Sequence, residues 1–370
     1  MKTIAICGSN VQTLIQPPSY VQTLTVEGVT VHCGLIYSDP PKFDPQAEAH
    51  SVLIRVRAFS CNYRDKALLL MHALQSPPSR FASIGSEFMG EVIEVGSAVT
   101  DLQPGDRVIG NNSYPDSGVP GLPPGIPTNR GSKEYRVLHR AKLIRIPDRM
   151  SDTVAAAFSI GAQTTYSMIR RLQLSPGAKV LVTAARSNTS LFAINALQLH
   201  PVRVFALTTS TRFAGQIQAL GVEQVFVVPG SDANSWQEIK EFSQTIGGFD
   251  AVIDPYFDLY MGKVVPLMAA WGRYITCGFY DQYLDMLGRD FDDSGLSCRE
   301  IMTHVMLNNH SLIGNCIGLV EDLERALQDY ASGRLKVVVD SVFAEDQAAA
   351  FFERTYCSSD RFGKVVLAYS

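Results

Sequence analysis

The sequence lacks features that would place the chain in several large classes of protein. Its 370 residues include seven cysteines, an odd number that never shows a C-x-x-C spacing. This pattern argues against a disulfide framework and against a structural zinc site. The formal net charge is only −4, without the basic excess typical of a dedicated nucleic-acid-binding protein. We therefore expect no nucleic-acid partner.

Long apolar runs are also missing. The longest uncharged apolar run, residues 154–169, is interrupted by serine, glutamine and threonine and is too short to span a bilayer. The first eight residues hold one lysine and a short apolar run, less than a signal peptide requires. We expect a cytoplasmic protein that does not associate with membranes.

The character of the sequence changes near Ser151. Up to about Pro147, short β-type runs are broken by glycine and proline, and residues 51–57 alternate like a half-buried strand. This pattern predicts an antiparallel β domain. Beyond Ser151, strands and helices alternate as in a doubly wound parallel sheet. The predicted strands are 179–183, 203–207, 225–228, 249–254, 273–277 and 311–314, and the helices are 154–172, a helix ending near 199, and 213–220.

The tail and two inserted segments complete the chain. Residues 111–132 carry many prolines and glycines and are predicted to form a loop. Residues 280–300 are rich in acids, and we interpret them as a solvated surface segment. Either segment could frame a bulky or peptide substrate. The tail is predicted to form a helix at 321–332, a strand at 335–342, a helix at 346–355 and a strand at 364–368.

Short motifs follow one another in a fixed order along nearly the whole chain. They lie at residues 60–65, 84–92, 95–96, 102–108, 161–166, 176–182 and 361–367. In these motifs the chain resembles the zinc-free medium-chain dehydrogenase/reductases, which include quinone oxidoreductases and enoyl reductases.

The resemblance implies an α/β fold with two domains. The first is a GroES-like, β-rich catalytic domain formed by residues 1–153 and completed by residues 319–370. The second is a Rossmann dinucleotide-binding domain, a doubly wound parallel sheet, formed by residues 154–318. The resemblance also implies a ligand cleft between the domains and a homodimer formed through the edge of the Rossmann sheet.

The resemblance also bears on zinc. Zinc-dependent members carry Cys, His and Cys at three positions, which fall here on Asn62, Ser86 and Ile160. None of these is a usual zinc ligand. No cysteine lies within residues 111–132, where the family's structural zinc lobe would fall. We therefore expect an enzyme without a metal.

The turn after the first Rossmann strand departs from the family pattern, which is rich in glycine. Residues 184–190 read A-A-R-S-N-T-S. Their side chains are small apart from the arginine, and a helix N-terminus there still offers N–H groups and a favourable dipole to phosphate. The alternative is a structural turn that has lost the cofactor. The residues of this turn that we predict to bind cofactor are Ala185, Arg186, Ser187, Asn188 and Thr189.

Cofactor choice depends on the end of the second Rossmann strand. NAD-dependent enzymes usually place an acid there to bind the ribose 2′-hydroxyl, and this chain has none. Arginine makes charge-assisted hydrogen bonds to phosphate, so Arg212 with nearby hydroxyls predicts NADPH. The alternative is an exposed turn with a solvated arginine. The further residues assigned to the cofactor are Thr208, Ser210, Gly278, Phe279 and Thr164, the last on the nicotinamide side by family position.

Without zinc, no Lewis acid would polarise an alcohol or carbonyl oxygen, which favours reduction of an activated alkene. Hydride would add to the β-carbon, and the resulting enolate would need a hydrogen-bond donor and a proton. By resemblance to enoyl reductases, Tyr63 is the candidate donor, and Asn62 is either a second donor or a residue that fixes the loop. The alternative for Tyr63 is a packing role in the cleft wall.

Three functions therefore compete. The first is an NADPH-dependent reductase of an enone, an enoyl ester or a dehydroamino acid, including dehydroalanine in a modified peptide. The second is an NADPH quinone reductase. The third is a non-catalytic NADP-binding or scaffold protein.

Overall fold

The computed structural model describes residues 1–10, 19–75, 77, 80–125, 130–229, 236–289 and 295–370. The described strands are β1 (Lys2–Cys7), β2 (Tyr20–Val26), β3 (Val29–Tyr37), β4 (Ser51–Ser60), β5 (Phe81–Ser83), β6 (Glu87–Val95), β7 (Arg107–Gly110), β8 (Tyr135–His139), β9 (Leu143–Arg145), β10 (Lys179–Val182), β11 (Arg203–Thr208), β12 (Gln224–Val227), β13 (Phe249–Asp254), β14 (Met268–Thr276), β15 (Ser311–Gly314), β16 (Val339–Ala344) and β17 (Lys364–Ala368). The described α-helices are α1 (Tyr63–Gln75), α2 (Asp152–Ala155), α3 (Ser159–Leu172), α4 (Asn188–Leu197), α5 (Ala214–Gln218), α6 (Gln237–Ile246), α7 (Phe257–Val264), α8 (Cys298–Asn308), α9 (Val320–Ala331) and α10 (Ala348–Tyr356).

The chain divides into two compact units. The first comprises Met1–Ile160 with Val339–Ser370, and the second comprises Gly161–Val338. The first unit holds a four-stranded sheet in the order β2-β3-β1-β5 and a seven-stranded sheet in which β16-β17-β4-β6-β7-β9 are neighbours and β8 pairs with β4. All of these strands pair antiparallel except β16 with β17.

Strand β4 forms the centre of the first unit. Alternate side chains from Val52 to Ala58 are fully buried, because successive residues of a strand point to opposite faces. The strand predicted at 51–57 is therefore confirmed and runs on to Ser60. Its continuation positions the polar segment that follows at residues 61–65.

The second unit is built on one parallel sheet in the order β12-β11-β10-β13-β14-β15. The order reverses between β10 and β13, which is the point where open α/β sheets bind ligands at the carboxyl ends of their strands. The predicted fold class, a GroES-like β domain with a Rossmann doubly wound sheet, is confirmed. The buried core of the sheet includes Leu181, Phe205, Val252 and Tyr274.

Two element predictions need correction. The helix predicted at 154–172 is divided into α2 and α3, because residues 156–158 form a fully buried turn in which packing overrides helix propensity. The predicted break near Ser151 is confirmed, since its hydroxyl caps α2 by accepting from the Val154 N–H. The strand predicted at 335–342 starts only at Val339, because the Leu335 N–H donates to the Asp329 carbonyl and extends the C-terminal turn of α9.

The second unit includes α9, which the sequence-based division assigned to the first domain. Tyr166 of α3 donates to Asp329 of α9 at 2.8 Å, and Arg170 of α3 pairs with Asp322 at 2.8 Å. These bonds hold α9 against α3. The chain returns to the first unit only at β16.

The two inserted segments differ from each other. The described parts of the first, residues 111–125 and 130–132, contain no helix or strand, as predicted. In the acidic segment, Tyr283 is only 1% exposed, so solvation is not uniform there. Residues 126–129 and 290–294, the latter with Asp290, Asp292 and Asp293, lie outside the described residues.

No helix in the described ranges has the length and apolar character needed to cross a membrane.

Candidate active site

The first unit holds a buried cluster of polar side chains around Glu87 at the start of β6. Its carboxylate accepts hydrogen bonds from the backbone N–H of Ile160 at 2.7 Å and from the Asn62 amide at 3.0 Å. The ammonium of Lys364, at the start of β17, donates to the same carboxylate at 2.5 Å. The side chain of Glu87 is 0% exposed and that of Lys364 is 2% exposed. Ser86 accepts from the Asn62 amide at 2.9 Å. Asn62, Ser86 and Ile160, the three positions compared above with zinc ligands, therefore meet in this Glu87 cluster.

The side chain of Asn62 is fully engaged within the cluster. Its Nδ2 donates to Ser86 Oγ and to Glu87 Oε2, and its Oδ1 accepts from Lys364 Nζ at 2.5 Å. A side-chain amide carries only two N–H hydrogens. Both hydrogens of Asn62 are therefore used within the protein, which favours a role in fixing the loop over donation to a substrate.

Tyr63 is the first residue of α1 and is partly buried. The start of this helix is fixed by Asp65, a fully buried carboxylate that accepts from the Ser86 hydroxyl. Lys66 pairs with Glu27 and places its ammonium 5.7 Å from the centre of the Tyr63 ring. This cation–π contact and the fixed loop restrict the orientation of the ring.

The turn between β10 and α4 retains a helix N-terminus suited to an anion. Ala184 has a φ of +43°, in the left-handed region that glycine adopts at lower cost. The hydroxyl of Ser187 caps α4 by accepting from the Ser190 N–H at 3.1 Å. The N–H groups of Asn188 and Thr189, in the first turn, have no acceptor among the described residues. Two donors at the positive end of the helix dipole are thus available to an anion.

Two guanidinium groups contact the same aromatic ring beyond the end of β11. Arg186 lies 5.3 Å and Arg212 5.6 Å from the centre of the same ring, that of Phe213. Thr208 and Ser210 shape the turn that carries Arg212, because each hydroxyl accepts from the backbone N–H two residues later. The structure therefore brings Arg186, predicted from the phosphate turn, together with Arg212, predicted from the end of the next strand.

The other residues assigned to the cofactor also lie in the second unit. Thr164 and Ala185 are buried, the first in α3 and the second in the turn after β10. Gly278 follows β14, and a Cβ at this position would lie 2.9 Å from the carbonyl oxygen of Pro255, so this approach favours glycine. Phe279 is 43% exposed.

Two buried charged residues of these networks were not singled out from the sequence. One is Lys364, and the other is Asp254 at the end of β13, which accepts from Thr183 Oγ1 at 2.6 Å and from Tyr274 OH at 2.5 Å. Burial raises the pKa of Asp254 to about 6. The available signal for both is a charge at the end of a strand whose other residues are mainly apolar.

Metal-binding side chains do not gather in the part of the chain that the structure describes. No group of three or more His, Cys, Asp or Glu residues there could hold a metal ion. Cys61, next to Asn62, is buried, and burial raises the pKa of its thiol well above the usual value. A neutral thiol is a poor metal ligand, since zinc is bound by thiolate.

Comparisons with protein families agree with both units. Residues 48–148 match the family described as alcohol dehydrogenase GroES-like domain, and residues 220–367 match the family described as zinc-binding dehydrogenase. The fold and these matches define an oxidoreductase of a class that binds a nicotinamide cofactor. The chain belongs to the medium-chain dehydrogenase/reductase superfamily.

The chain is also similar to individual proteins. It is similar to the acryloyl-coenzyme A reductase of Metallosphaera sedula, with 26% identity over 344 residues that cover 88% of this chain and 94% of that protein. It is also similar to the polyketide synthase GfsB of Streptomyces halstedii, 27% identical over 236 residues, which are 64% of this chain but only 4% of that protein. Among solved structures, an NAD-dependent alcohol dehydrogenase superposes with a TM-score of 0.77, at 24% identity and with full coverage of both chains.

Proposed function

We propose that this protein is an NADPH-dependent reductase that adds a hydride and a proton to an electron-poor carbon–carbon double bond, without a metal. The observation that carries the proposal is the Glu87 cluster. It unites the three positions that the resemblance compares with zinc ligands, and it supplies an amide, a hydroxyl and an aliphatic side chain there.

Zinc does not fit these residues. Zinc in proteins is bound by thiolate, imidazole and carboxylate, and Asn62, Ser86 and Ile160 supply none of these. The two carboxylates that touch these residues are already engaged, Glu87 by the ammonium of Lys364 at 2.5 Å and Asp65 by the Ser86 hydroxyl and the Asn62 N–H. A dication beside that ammonium would meet direct repulsion. No catalytic step is therefore assigned to a metal.

The second unit offers groups that fit a phosphorylated dinucleotide. The free N–H groups of Asn188 and Thr189 would bind the pyrophosphate at the N-terminus of α4. Arg186 and Arg212 would bind a 2′-phosphate, because guanidinium makes charge-assisted hydrogen bonds to phosphate oxygens. Bound NADPH would supply the hydride.

The first unit would supply stabilisation of charge. Hydride addition to the β-carbon leaves negative charge on the substrate carbonyl oxygen, and a preorganised donor stabilises it. We assign this donation to the phenol of Tyr63, whose hydroxyl is a hydrogen-bond donor. Asn62 acts as a positioning residue, since the cluster takes both of its amide hydrogens.

The substrate class follows from the same chemistry. A conjugated thioester, ketone or amide carries the carbonyl oxygen to which Tyr63 would donate. The Metallosphaera relative is named for acryloyl-coenzyme A, an alkene conjugated to a thioester. We therefore propose an α,β-unsaturated carbonyl compound, with dehydroalanine in a modified peptide as a second member of that class.

We also propose that the protein forms a homodimer through β15. Among the described residues this strand is the last in its sheet, and the edge of a sheet offers a row of backbone donors and acceptors to a second copy. Leu312 in the strand is 36% exposed, and Met306 and Leu307 in the neighbouring α8 are each 70% exposed. Sedimentation should give twice the chain mass, and Leu312→Lys should shift the population towards monomer.

The activity test compares substrates at fixed NADPH with a chelator present. We expect NADPH oxidation with acryloyl-coenzyme A or a simple enone, and weaker oxidation with 1,4-benzoquinone. Activity with the quinone alone would replace the proposal with a quinone reductase. NADPH binding without turnover of an enone, a quinone or an N-acyl dehydroalanine amide would indicate a non-catalytic protein.

A further inference from the structure

Asp254 lies at the switch point of the parallel sheet, where β13 adjoins β10. Its carboxylate is fully buried and accepts hydrogen bonds from Thr183 Oγ1, Tyr274 OH and the Tyr256 N–H, at 2.6, 2.5 and 3.0 Å. All three donors are neutral. Burying an ionised carboxylate without a cationic partner is costly, so the sheet has a titratable group at its ligand-binding edge.

Hydrogen bonds connect Asp254 to the N-terminus of α4. Thr183 donates to Asp254 through its hydroxyl and accepts from Ser190 Oγ through its carbonyl oxygen at 2.7 Å. Ser190 Oγ in turn accepts from Ser187 Oγ at 2.9 Å, and Ser187 is the N-cap of α4. Asp254, Thr183, Ser190 and Ser187 thus form one continuous series, which we call the Asp254 relay.

The relay supports a turn that has no glycine. Ala184, within it, holds a left-handed φ of +43°, a conformation that costs an alanine about 1 kcal/mol and needs support from its surroundings. Thr183 precedes this residue and Ser187 follows it, and both are fixed by the relay. The turn therefore keeps its shape through side-chain hydrogen bonds.

We propose that Asp254 is a positioning residue for the binding of the dinucleotide pyrophosphate. Asp254 holds the turn through the relay, and its carboxylate takes up a proton when the pyrophosphate binds. The inference rests on the proposed cofactor site and adds a pH-dependent element to it. A second negative charge placed at the N-terminus of α4 disfavours the ionised form of Asp254, because like charges in a low-dielectric interior repel.

The groups around Asp254 already favour its protonated form. Its pKa is raised to about 6, mainly by burial and to a smaller extent by the Asp258 carboxylate on α7, against the three hydrogen bonds, which act to lower it. Other titratable groups that interact with Asp254 are Tyr260, Tyr274 and Cys277. Burial raises the pKa of Cys277 to about 12 and raises the pKa values of both tyrosines well above the usual value. Asp254 is therefore the group in this set that titrates near neutral pH.

Thermodynamic linkage gives the direction in which the affinity for the pyrophosphate changes with pH. Proton uptake on binding means that the pKa of Asp254 is higher in the complex than in the free protein. Affinity should then rise as the pH falls through the pKa of the complex, and it should level off below about 6, the pKa in the free protein. The rise is at most tenfold per pH unit for one proton.

The experiment uses ADP-ribose, which carries the pyrophosphate without the 2′-phosphate, whose own titration would interfere. Calorimetric titrations at pH 6 and pH 8, each in two buffers of different ionisation enthalpy, measure affinity and proton uptake together. We expect the wild-type protein to bind more tightly at pH 6 and to take up a fraction of a proton at pH 8. Wild-type binding without proton uptake would overturn the inference.

Two substitutions distinguish the proton uptake by Asp254 from its role in positioning the turn. Asp254→Asn keeps the acceptor for Thr183, so its affinity should match that of the wild type at pH 6 and should not change with pH. Asp254→Ala breaks the relay and should bind about tenfold more weakly than Asp254→Asn at both pH values, the scale of one hydrogen bond to a charged group. Equal affinity of the two variants would remove the positioning role.

Control experiments distinguish loss of the relay from misfolding and from failure of the proposed cofactor site. Asp329→Asn alters another buried carboxylate, on α9, which bonds Tyr166 and Arg334 outside the relay, and it should leave ADP-ribose binding unchanged. Thr183→Val breaks the same relay if Asp254→Ala fails to fold. Failure of the wild-type protein to bind ADP-ribose or NADPH at any pH would instead reject the proposed cofactor site.

Discussion

Two buried carboxylates, one in each unit, are held in opposite ways. In the first, Glu87 is paired with the ammonium of Lys364 at 2.5 Å. In the second, Asp254 is held only by neutral donors, and burial raises its pKa to about 6. A charge with a buried counter-ion is permanent and rigid, whereas a charge held by hydroxyls can be lost within a physiological pH range. The first unit therefore provides a fixed scaffold for Tyr63, and the second an adjustable support for an anion.

The largest expected effect comes from breaking the fixed pair. Lys364→Met would leave the Glu87 carboxylate buried without its cation, and we expect a loss of about 3–5 kcal/mol in the free energy of unfolding. Urea denaturation measures this loss. Lys336→Met, at an exposed lysine, is the matched control and should change stability little.

A second variant sharpens the same comparison. Adding Glu87→Gln to Lys364→Met removes the uncompensated charge and should restore part of the stability, because replacing both members of a buried pair costs less than removing one. A loss below about 1 kcal/mol for Lys364→Met alone, the scale of an exposed pair, would mean that the Glu87 cluster is not a rigid scaffold.

The next effect concerns catalysis. Tyr63→Phe keeps the ring and removes the hydroxyl, so kcat for an activated alkene should fall by about 100-fold with little change in NADPH affinity. A quinone should be less affected, because its reduced form is stable as a phenolate. Tyr37→Phe, at an exposed tyrosine, is the control. An unchanged kcat with the better substrate would exclude Tyr63 as the donor.

The sequence predicted the fold better than the contacts within the site. The segments 249–254 and 364–368 were correctly predicted as strands, because the short apolar runs 251–253 and 365–368 within them suit a buried strand. The turn at 156–158 was missed, since its helical composition is overridden by burial.

The long-range contacts of the site carried no sequence signal of their own. Asn62, Glu87 and Lys364 are far apart along the chain and meet through the pairing of β4, β6 and β17, and Ile160 joins them from the start of α3. Arg186 and Arg212 were each predicted from their turns, but their shared contact with Phe213 depends on the register of β10 and β11. Asp254 was missed because an acid at a strand end is an ordinary start for a turn.

Cofactor preference should show a smaller effect. Arg212→Ala should weaken NADPH binding by about 1–3 kcal/mol, the scale of a charge-assisted hydrogen bond, and should leave NADH binding nearly unchanged. Arg186→Ala should act in the same direction, because its guanidinium lies against the same ring. Arg203→Ala, which removes an exposed arginine of β11 paired with Glu223, serves as the control. Equal losses for both cofactors would reject the 2′-phosphate assignment.

The smallest effect should come from chelation. Since Asn62, Ser86 and Ile160 offer no zinc ligand, prolonged treatment with a chelator should leave kcat unchanged. Elemental analysis of the untreated protein should find no stoichiometric zinc. About one zinc per chain, the content of a catalytic zinc site, together with lost activity after chelation, would contradict the metal-free mechanism.

The central claim is tested most directly by following the transferred hydrogen. NADPH deuterated at C4 of the nicotinamide, on the transferred face, should be incubated with an activated alkene in ordinary water, and the product analysed by mass spectrometry and NMR. We predict one deuterium at the β-carbon and one solvent-derived hydrogen at the α-carbon. A product with deuterium on the carbinol carbon of a reduced carbonyl, or without deuterium, would contradict the proposed reduction of the double bond.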